Sequence, residues 1–110
     1  MNWIQLTTDA QLSDLNTKSG QRPQVIFKHS TRCNISSMVH NRLERKTSPD
    51  DIDFYFIEVP AQRVISNKIA EIYSVSHESP QVLVIRNGEC TYDESHYGIE
   101  FDEIIAQSTK

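Results

Sequence analysis

The stretch PQVIFKHSTRCNISSMVHNRL, residues 23–43, contains a strand pattern and a helix pattern that meet at a single cysteine. Its first part, PQVIFKH, is a compact apolar run with β-branched residues, which predicts a buried strand. From Cys33 onward the apolar residues adopt helical spacing, at Ile35, Met38, Val39 and Leu43. The sequence therefore predicts a strand and a helix joined at Cys33, with the helix ending before Pro49.

The flanking segments continue this alternation of helix and strand. DAQLSDLNTKSG, residues 9–20, predicts a short helix capped by Asp9 and ended by Gly20, and the apolar residues before it could form a short edge element. IDFYFIEV, residues 52–59, predicts a second buried strand. The next helix is expected to start near Ser66 or Asn67. Its predicted apolar face consists of Ile65, Ile69, Ile72 and Tyr73.

The segment SPQVLVIRNGECTYDE, residues 79–94, predicts a β-hairpin. Its strands would run from Val82 to Arg86 and from Glu89 to Asp93. The Asn87-Gly88 pair between them suits a type I′ turn, in which both central residues have positive φ. A final helix is predicted from the spacing of Ile99, Ile104, Ile105 and Ala106.

These elements follow the order α, β, α, β, α, β, β, α. A βαβ unit followed by a hairpin and a helix predicts a mixed sheet, parallel through a right-handed crossover and antiparallel at the hairpin. This is the layout of the α/β thioredoxin-like fold, with a four-stranded mixed sheet and helices on both faces. The chain has 110 residues and neither a repeat nor a low-complexity tract, so a single domain over residues 1–110 is expected.

Composition narrows the classes of function. A formal charge of −4 and a pI near 5.5 argue against a general nucleic-acid binder. No apolar run is long enough to cross a membrane, and the first residues lack a signal-peptide pattern, so we expect a cytoplasmic protein. In that reducing compartment Cys33 and Cys90 are expected to be free thiols, and without a CxxC pair a structural zinc site has little support.

Cys33 is the candidate nucleophile. The first turn of a helix has free backbone N–H groups and the positive end of the helix dipole, and both favour a reactive thiolate. The amides of Ile35 and Ser36, with the Ser36 hydroxyl as a third donor, are expected to point toward the sulfur. Arg32 and Lys28 would add positive charge. The alternative is a structural buried cysteine, which the polar residues around Cys33 disfavour.

The spacing around Cys33 excludes two other chemistries. A cysteine phosphatase loop needs an arginine six positions on, where Val39 stands, and a dithiol oxidoreductase needs a cysteine where Ser36 stands. Redox chemistry here must therefore be monothiol. Cys90 is a weak resolving candidate, since its strand starts at the end of the sheet expected to lie opposite Cys33; an incidental strand thiol is the simpler interpretation.

Pro80 is the second informative position, since it stands immediately before a predicted strand. A thioredoxin layout places this proline beside the active cysteine, usually with a cis peptide bond, where the backbone can pair with an extended substrate. An ordinary trans proline at a strand start is the alternative. His29 and His77 could lie near the sulfur and exchange protons, or could be hydrogen-bonded loop residues; His40 and His96 are weaker candidates.

Three segments carry a family resemblance: FKHSTRCNISS (27–37), SNKIAEIYSVSHESPQVLVIRNGE (66–89) and SHYGIEFDEI (95–104). The chain resembles, from Val25 to Ile105, the bacillithiol-system redox proteins of the YtxJ type, the monothiol bacilliredoxins. The Cys-Pro-Ile-Ser motif typical of that family maps onto residues 33–36. Asn34 replaces its proline, which relaxes the turn but restores an amide donor beside the sulfur.

The resemblance implies a thiol–disulfide oxidoreductase that removes bacillithiol, a low-molecular-weight thiol, from mixed disulfides on cytosolic client proteins. Bacillithiol would be a co-substrate, and no metal or tightly bound cofactor is implied. The catalytic positions would be Cys33 and Ser36. The expected substrate-binding residues are Arg32, Asn34, Ile35, Ser79 and Pro80, and Lys28 or Arg32 could contact a carboxylate of the small thiol.

The sequence is also compatible with three other functions. A thioredoxin-like adaptor would bind partner segments at the Pro80 loop without catalysis, and a redox sensor would change partners when Cys33 is modified. The third alternative is the formation of oligomers through an exposed Cys90. The sequence carries no signal of oligomeric state.

Overall fold

The computed structural model describes all residues from Met1 to Lys110 and contains one mixed sheet. Its five strands are β1 (Trp3–Gln5), β2 (Gln24–His29), β3 (Asp53–Glu58), β4 (Gln81–Arg86) and β5 (Glu89–Ser95). The spatial order is β1-β3-β2-β4-β5, with β1, β2 and β3 parallel, β4 antiparallel to β2, and β5 antiparallel to β4. The mixed sheet is confirmed. The predicted count of four strands was one short, because residues 3–5 pair with residues 54–56 of β3 at the sheet edge.

Four α-helices pack on the two faces of this sheet, α1 (Asp9–Lys18), α2 (Asn34–Glu44), α3 (Arg63–Tyr73) and α4 (Phe101–Ser108), and a 3₁₀ turn spans His96–Gly98. Side chains alternate along β2 as a strand requires. Val25 and Phe27 face α2 and α4, whereas Ile26 faces α1 and α3. The expected helices on both faces are therefore present. No helix combines the length and hydropathy that a membrane span needs.

The predicted helix starts were displaced by a few residues. Thr8, rather than Asp9, caps α1, since its hydroxyl accepts the N–H of Gln11 while the Gln11 side chain accepts the N–H of Thr8. Helix α3 starts at Arg63, three residues before Ser66. The capping box on Thr8 sets the start of α1 one residue early. Helix α3 has no side-chain cap, and its early start brings Ile65 into its first turn as a buried residue.

Two residues assigned to apolar helix faces are exposed. Met38 retains 41% of its accessible surface and Ile72 retains 55%. Each follows the helical spacing but lies at the margin of the buried stripe, so Val39 and Ile69 supply the core contacts in their place.

The hairpin matches its prediction at the turn. Asn87 and Gly88 have φ values of 53° and 75°, as a type I′ turn requires. Ser19, after the end of α1, accepts the N–H of Asn87 with its carbonyl and that of Gly88 with its hydroxyl. The second strand runs to Ser95, two residues beyond the prediction.

Candidate active site

Cys33 lies at the junction of β2 and α2, as predicted. It occupies the N-cap position of α2 with extended backbone angles (φ −116°, ψ 118°) and is partly exposed. Its N–H donates to the Ser30 carbonyl at 3.2 Å, and its own carbonyl accepts the N–H of Ser37 at 3.2 Å. The turn and the helix thus hold the nucleophile from both sides, with the positive end of the helix dipole beneath it.

The side chain of Cys33 makes no capping hydrogen bond. The expected donation from the amides of Ile35 and Ser36 to the sulfur is therefore not made. The N–H groups of the first helical turn have no partner four residues earlier, so they remain available to stabilise a thiolate.

Ser36 is fully buried, and its hydroxyl is used elsewhere. Its Oγ accepts the N–H of Ser30 at 2.9 Å and lies 2.7 Å from Nδ1 of His29. The predicted hydrogen bond from this hydroxyl to the Cys33 sulfur is not made. Ser36 instead ties the first turn of α2 to the loop that precedes Cys33.

His29, the last residue of β2, is buried beneath that loop. Its ring packs against His40 at a centroid distance of 4.9 Å and against Phe56 at 5.3 Å. Burial, and secondarily the neighbouring His40, lowers the pKa of His29, so the neutral form prevails near pH 7. The structure therefore favours the interpretation of His29 as a hydrogen-bonded residue over that of a residue that exchanges protons near the sulfur. His40 forms an ion pair with Glu44 at 3.2 Å when protonated.

Lys28 is not available at the surface. It is fully buried, and its Nζ donates to the Ser66 carbonyl of α3 at 3.2 Å and lies 3.3 Å from Nδ1 of His77. It therefore points to the sheet face opposite α2 and cannot meet a carboxylate of a small thiol, contrary to the prediction. Burial, assisted by Arg63, lowers the pKa of Lys28 to about 8.

This shift predicts an unusual dependence of stability on pH. Between about pH 8 and 10.5 the unfolded chain keeps the Lys28 proton that the folded chain has lost, so stability rises with pH. Relative to Lys28→Met, the wild-type free energy of unfolding should grow from about pH 8 to about pH 10, by up to about 1.4 kcal/mol per pH unit in urea titrations. Lys46→Met, at an exposed lysine, is the matched control. If the difference in free energy of unfolding between the wild type and Lys28→Met does not change with pH, the folded chain keeps the Lys28 proton.

Pro80 lies at the same end of the sheet as Cys33, because Gln81 pairs with Lys28 near the end of β2. The Ser79–Pro80 peptide bond is cis, as the layout predicted. The Pro80 carbonyl accepts the N–H of His96 at 3.0 Å. Pro80 is buried, and Ser79 is half-buried with a hydroxyl that has no hydrogen-bond partner.

The remaining predicted residues frame the cysteine. Arg32 and Asn34 are exposed on either side of it, and Ile35 is half-buried against the apolar cluster of α2. Cys33 lines none of the surface pockets, and the largest, of about 450 Å³, lies between α1 and α3. No three His, Cys, Asp or Glu side chains are placed to hold a metal ion. The surface around Cys33 is therefore open rather than enclosed.

Two further features of the site escaped the sequence analysis. Buried Gln81 holds the loop before Pro80, because its Nε2 donates to the Ser76 carbonyl at 2.9 Å. The 3₁₀ turn His96–Gly98 flanks that loop and leaves Tyr97 63% exposed. In the sequence, Gly98 of the SHYG stretch is the residue that indicates this turn. The pattern around Gln81 indicates a strand and does not predict its contact with Ser76.

Cys90 is remote from this site. It pairs with Ile85, which lies opposite Gln24 at the start of β2, so about 16 Å of strand separates it from the Cys33 end. Burial raises the pKa of the Cys90 thiol to about 11, and its Sγ donates to the Tyr92 carbonyl at 3.3 Å. These findings favour the interpretation of Cys90 as a strand residue with an incidental thiol over that of a resolving cysteine.

Cys90 should therefore resist alkylation in the folded protein. With a pKa of about 11, only about one molecule in a thousand carries its thiolate at pH 8. Brief treatment with iodoacetamide is expected to add one group, at Cys33, by intact-mass spectrometry, and none to Cys33→Ser. Urea-unfolded protein should gain two groups. Native labelling of Cys90 at the rate of Cys33 would contradict the assigned burial.

A mixed sheet with a partly exposed cysteine at the start of α2 and a cis-proline at the same end defines a thioredoxin-fold redox protein. The structure is similar to a protein described as a candidate oxidoreductase with a thioredoxin fold, at 28% identity and a TM-score of 0.82, covering 97% of this chain and 93% of that one. It also shares its fold with the thioredoxins of Malassezia sympodialis (17% identity, TM-score 0.76, covering 98% and 89%) and Fasciola hepatica (18%, 0.73, covering 96% and 95%).

The family assignment is more specific than the fold. Residues 4–104 match the family described as monothiol bacilliredoxin BrxC. The chain belongs to that family, and the resemblance seen in the sequence is confirmed.

Proposed function

We propose that this protein is a monothiol thiol–disulfide oxidoreductase that removes bacillithiol, or a similar low-molecular-weight thiol, from mixed disulfides on cytoplasmic client proteins. The observation that carries the proposal is the placement of Cys33. It is a partly exposed thiol at the N-cap of α2, and the position three residues on holds a buried serine that cannot form a disulfide.

The reaction consists of two exchanges. The Cys33 thiolate attacks the small thiol's sulfur, the mixed disulfide breaks, and the client leaves as a thiolate that takes up a proton. Cys33 then carries the small thiol as a new disulfide. A second small-thiol molecule, as its thiolate, attacks that disulfide, releases the Cys33 thiolate and leaves as a symmetric disulfide. Bacillithiol thus serves as the reductant, and no metal or bound cofactor takes part.

The neighbouring residues supply recognition in this proposal. Arg32 is exposed next to Cys33 and would pair with a carboxylate of the small thiol. Ile35, Ser79 and Pro80 would contact the client beside its modified cysteine. Asn34 would contribute its backbone amide near the sulfur.

The test is intact-mass spectrometry after the reduced protein is mixed with a client peptide carrying bacillithiol. We expect one bacillithiol on the protein and a freed client in equal amounts. The same peptide carrying glutathione is the matched comparison for the identity of the small thiol. If neither peptide transfers its thiol, the oxidoreductase proposal is wrong; if glutathione transfers equally well, the preference for bacillithiol is wrong.

A further inference from the structure

Strand β2 ends with two buried polar side chains that face opposite sides of the sheet. His29 contacts Ser36 of α2, whereas Lys28 contacts Ser66 of α3. Both are almost fully inaccessible, at 6% and 0% exposure. Since burying polar groups is costly unless they are hydrogen-bonded, their two sets of partners indicate what each side chain holds in place.

On the α2 face, a chain of hydrogen bonds leads from His29 to the backbone of the nucleophile. Ser36 Oγ accepts the N–H of Ser30, so its own proton can be donated to Nδ1 of His29, 2.7 Å away. Ser30 in turn accepts the N–H of Cys33 with its carbonyl and the N–H of Arg32 with its hydroxyl. Without the acceptor at His29 Nδ1, the orientation of the Ser36 hydroxyl, and with it the Ser30 turn, is no longer fixed.

On the α3 face, Lys28 holds the loop that leads to Pro80. Its Nζ and the hydroxyl of Ser66 lie 3.3 Å and 3.1 Å from Nδ1 of His77, three residues before the proline. No carboxylate contacts this amine, so it is not half of an ion pair. Gln81 holds the same loop at Ser76, but only the contact at His77 depends on Lys28.

We propose that Lys28 and His29 are positioning residues for the exchange at Cys33, with His29 fixing the loop that presents the nucleophile and Lys28 fixing the loop that presents Pro80 to the client. This inference rests on the proposed function, because it assigns both loops to one reaction. It also predicts that the two residues affect different steps.

The His29 arm is tested by the rate of Cys33 alkylation with iodoacetamide at pH 7, in a Cys90→Ser background. His29→Leu and Ser36→Ala should each slow alkylation by about fivefold, the effect of one lost hydrogen bond. His29→Asn should restore the rate to within about twofold, because its amide oxygen takes the place of Nδ1. The exposed Ser37→Ala is the control for Ser36→Ala.

The Lys28 arm uses Lys28→Met, with Lys46→Met as its control. Alkylation of Cys33 should stay within about twofold of the wild type, while the KM for a thiolated client peptide rises by about fivefold and kcat changes little. Amide hydrogen exchange at Glu78, whose N–H donates to Gln81 Oε1 at 3.4 Å, should accelerate by at least about fivefold, while exchange in residues 30–37 stays unchanged.

These readouts separate the possible failures. If His29→Asn is as slow as His29→Leu, or if His29→Leu alkylates as fast as the wild type or faster, the assignment of His29 is overturned. If Lys28→Met slows alkylation or accelerates exchange throughout the chain, its assignment to the Pro80 loop is overturned. A wild-type protein that rejects thiolated clients, while the alkylation and hydrogen-exchange results hold, overturns the proposed function and supports only the placement of the two loops by His29 and Lys28.

Discussion

Cys33→Ser is expected to lower the release of a bacillithiol-modified client to the rate measured without protein. A serine hydroxyl forms no appreciable alkoxide near pH 7, so the attacking species of the first exchange is lost. The measurement is the time course of free client by intact-mass spectrometry. Cys90→Ser should stay within about twofold of the wild type, because this half-buried thiol with a pKa of about 11 lies at the far end of the sheet.

The same variants distinguish catalysis from the two alternative functions. An adaptor that only binds client segments at the Pro80 loop predicts that Cys33→Ser binds clients normally and that the wild type releases none of them. A redox sensor predicts a stable adduct on Cys33 that excess bacillithiol does not remove. Client release by Cys33→Ser at the wild-type rate would exclude Cys33 as the nucleophile.

The features that the sequence predicted well are set by neighbours in the chain. The Asn87-Gly88 turn needs two residues that tolerate positive φ, and their observed values satisfy it. The placement of Cys33 followed from the change of hydrophobic period between residues 29 and 35, which marks where a strand becomes a helix. The fold class followed from the order of such local elements.

The features that were wrong or missed depend on partners distant in sequence. Lys28 was expected to place its positive charge near Cys33, but it packs against His77, 49 residues away. The short edge element expected before α1 is present as strand β1, but it was not counted in the sheet because its three residues are defined by pairing with β3 about 50 positions later. The direction of the Ser36 hydroxyl depends on which face of α2 meets His29. A periodic pattern predicts which face of a helix or strand is buried, but it does not identify the residues that pack against that face.

Ser36→Cys is expected to change the end product of the first exchange from an adduct to an internal disulfide. Residues three apart in a helical turn have Cβ atoms about 5–6 Å apart, and small adjustments bring such a pair into disulfide range. The new thiol would attack Cys33 of the adduct, expel the small thiol and form the internal bond. Intact mass should then show a protein two hydrogens lighter than the reduced form, and the adduct's lifetime should fall by at least about a hundredfold.

Ser36→Ala is the control that separates the thiol gained from the hydroxyl lost. Both substitutions weaken or remove the acceptor for the Ser30 N–H, held at 2.9 Å in the wild type, so both should slow the first exchange. Only Ser36→Cys should go on to lose the adduct without added bacillithiol. If its adduct persists as long as that of Ser36→Ala, the buried side chain at position 36 does not reach the Cys33 sulfur. The burial of that side chain, together with the missing thiol, would then be what keeps the reaction monothiol.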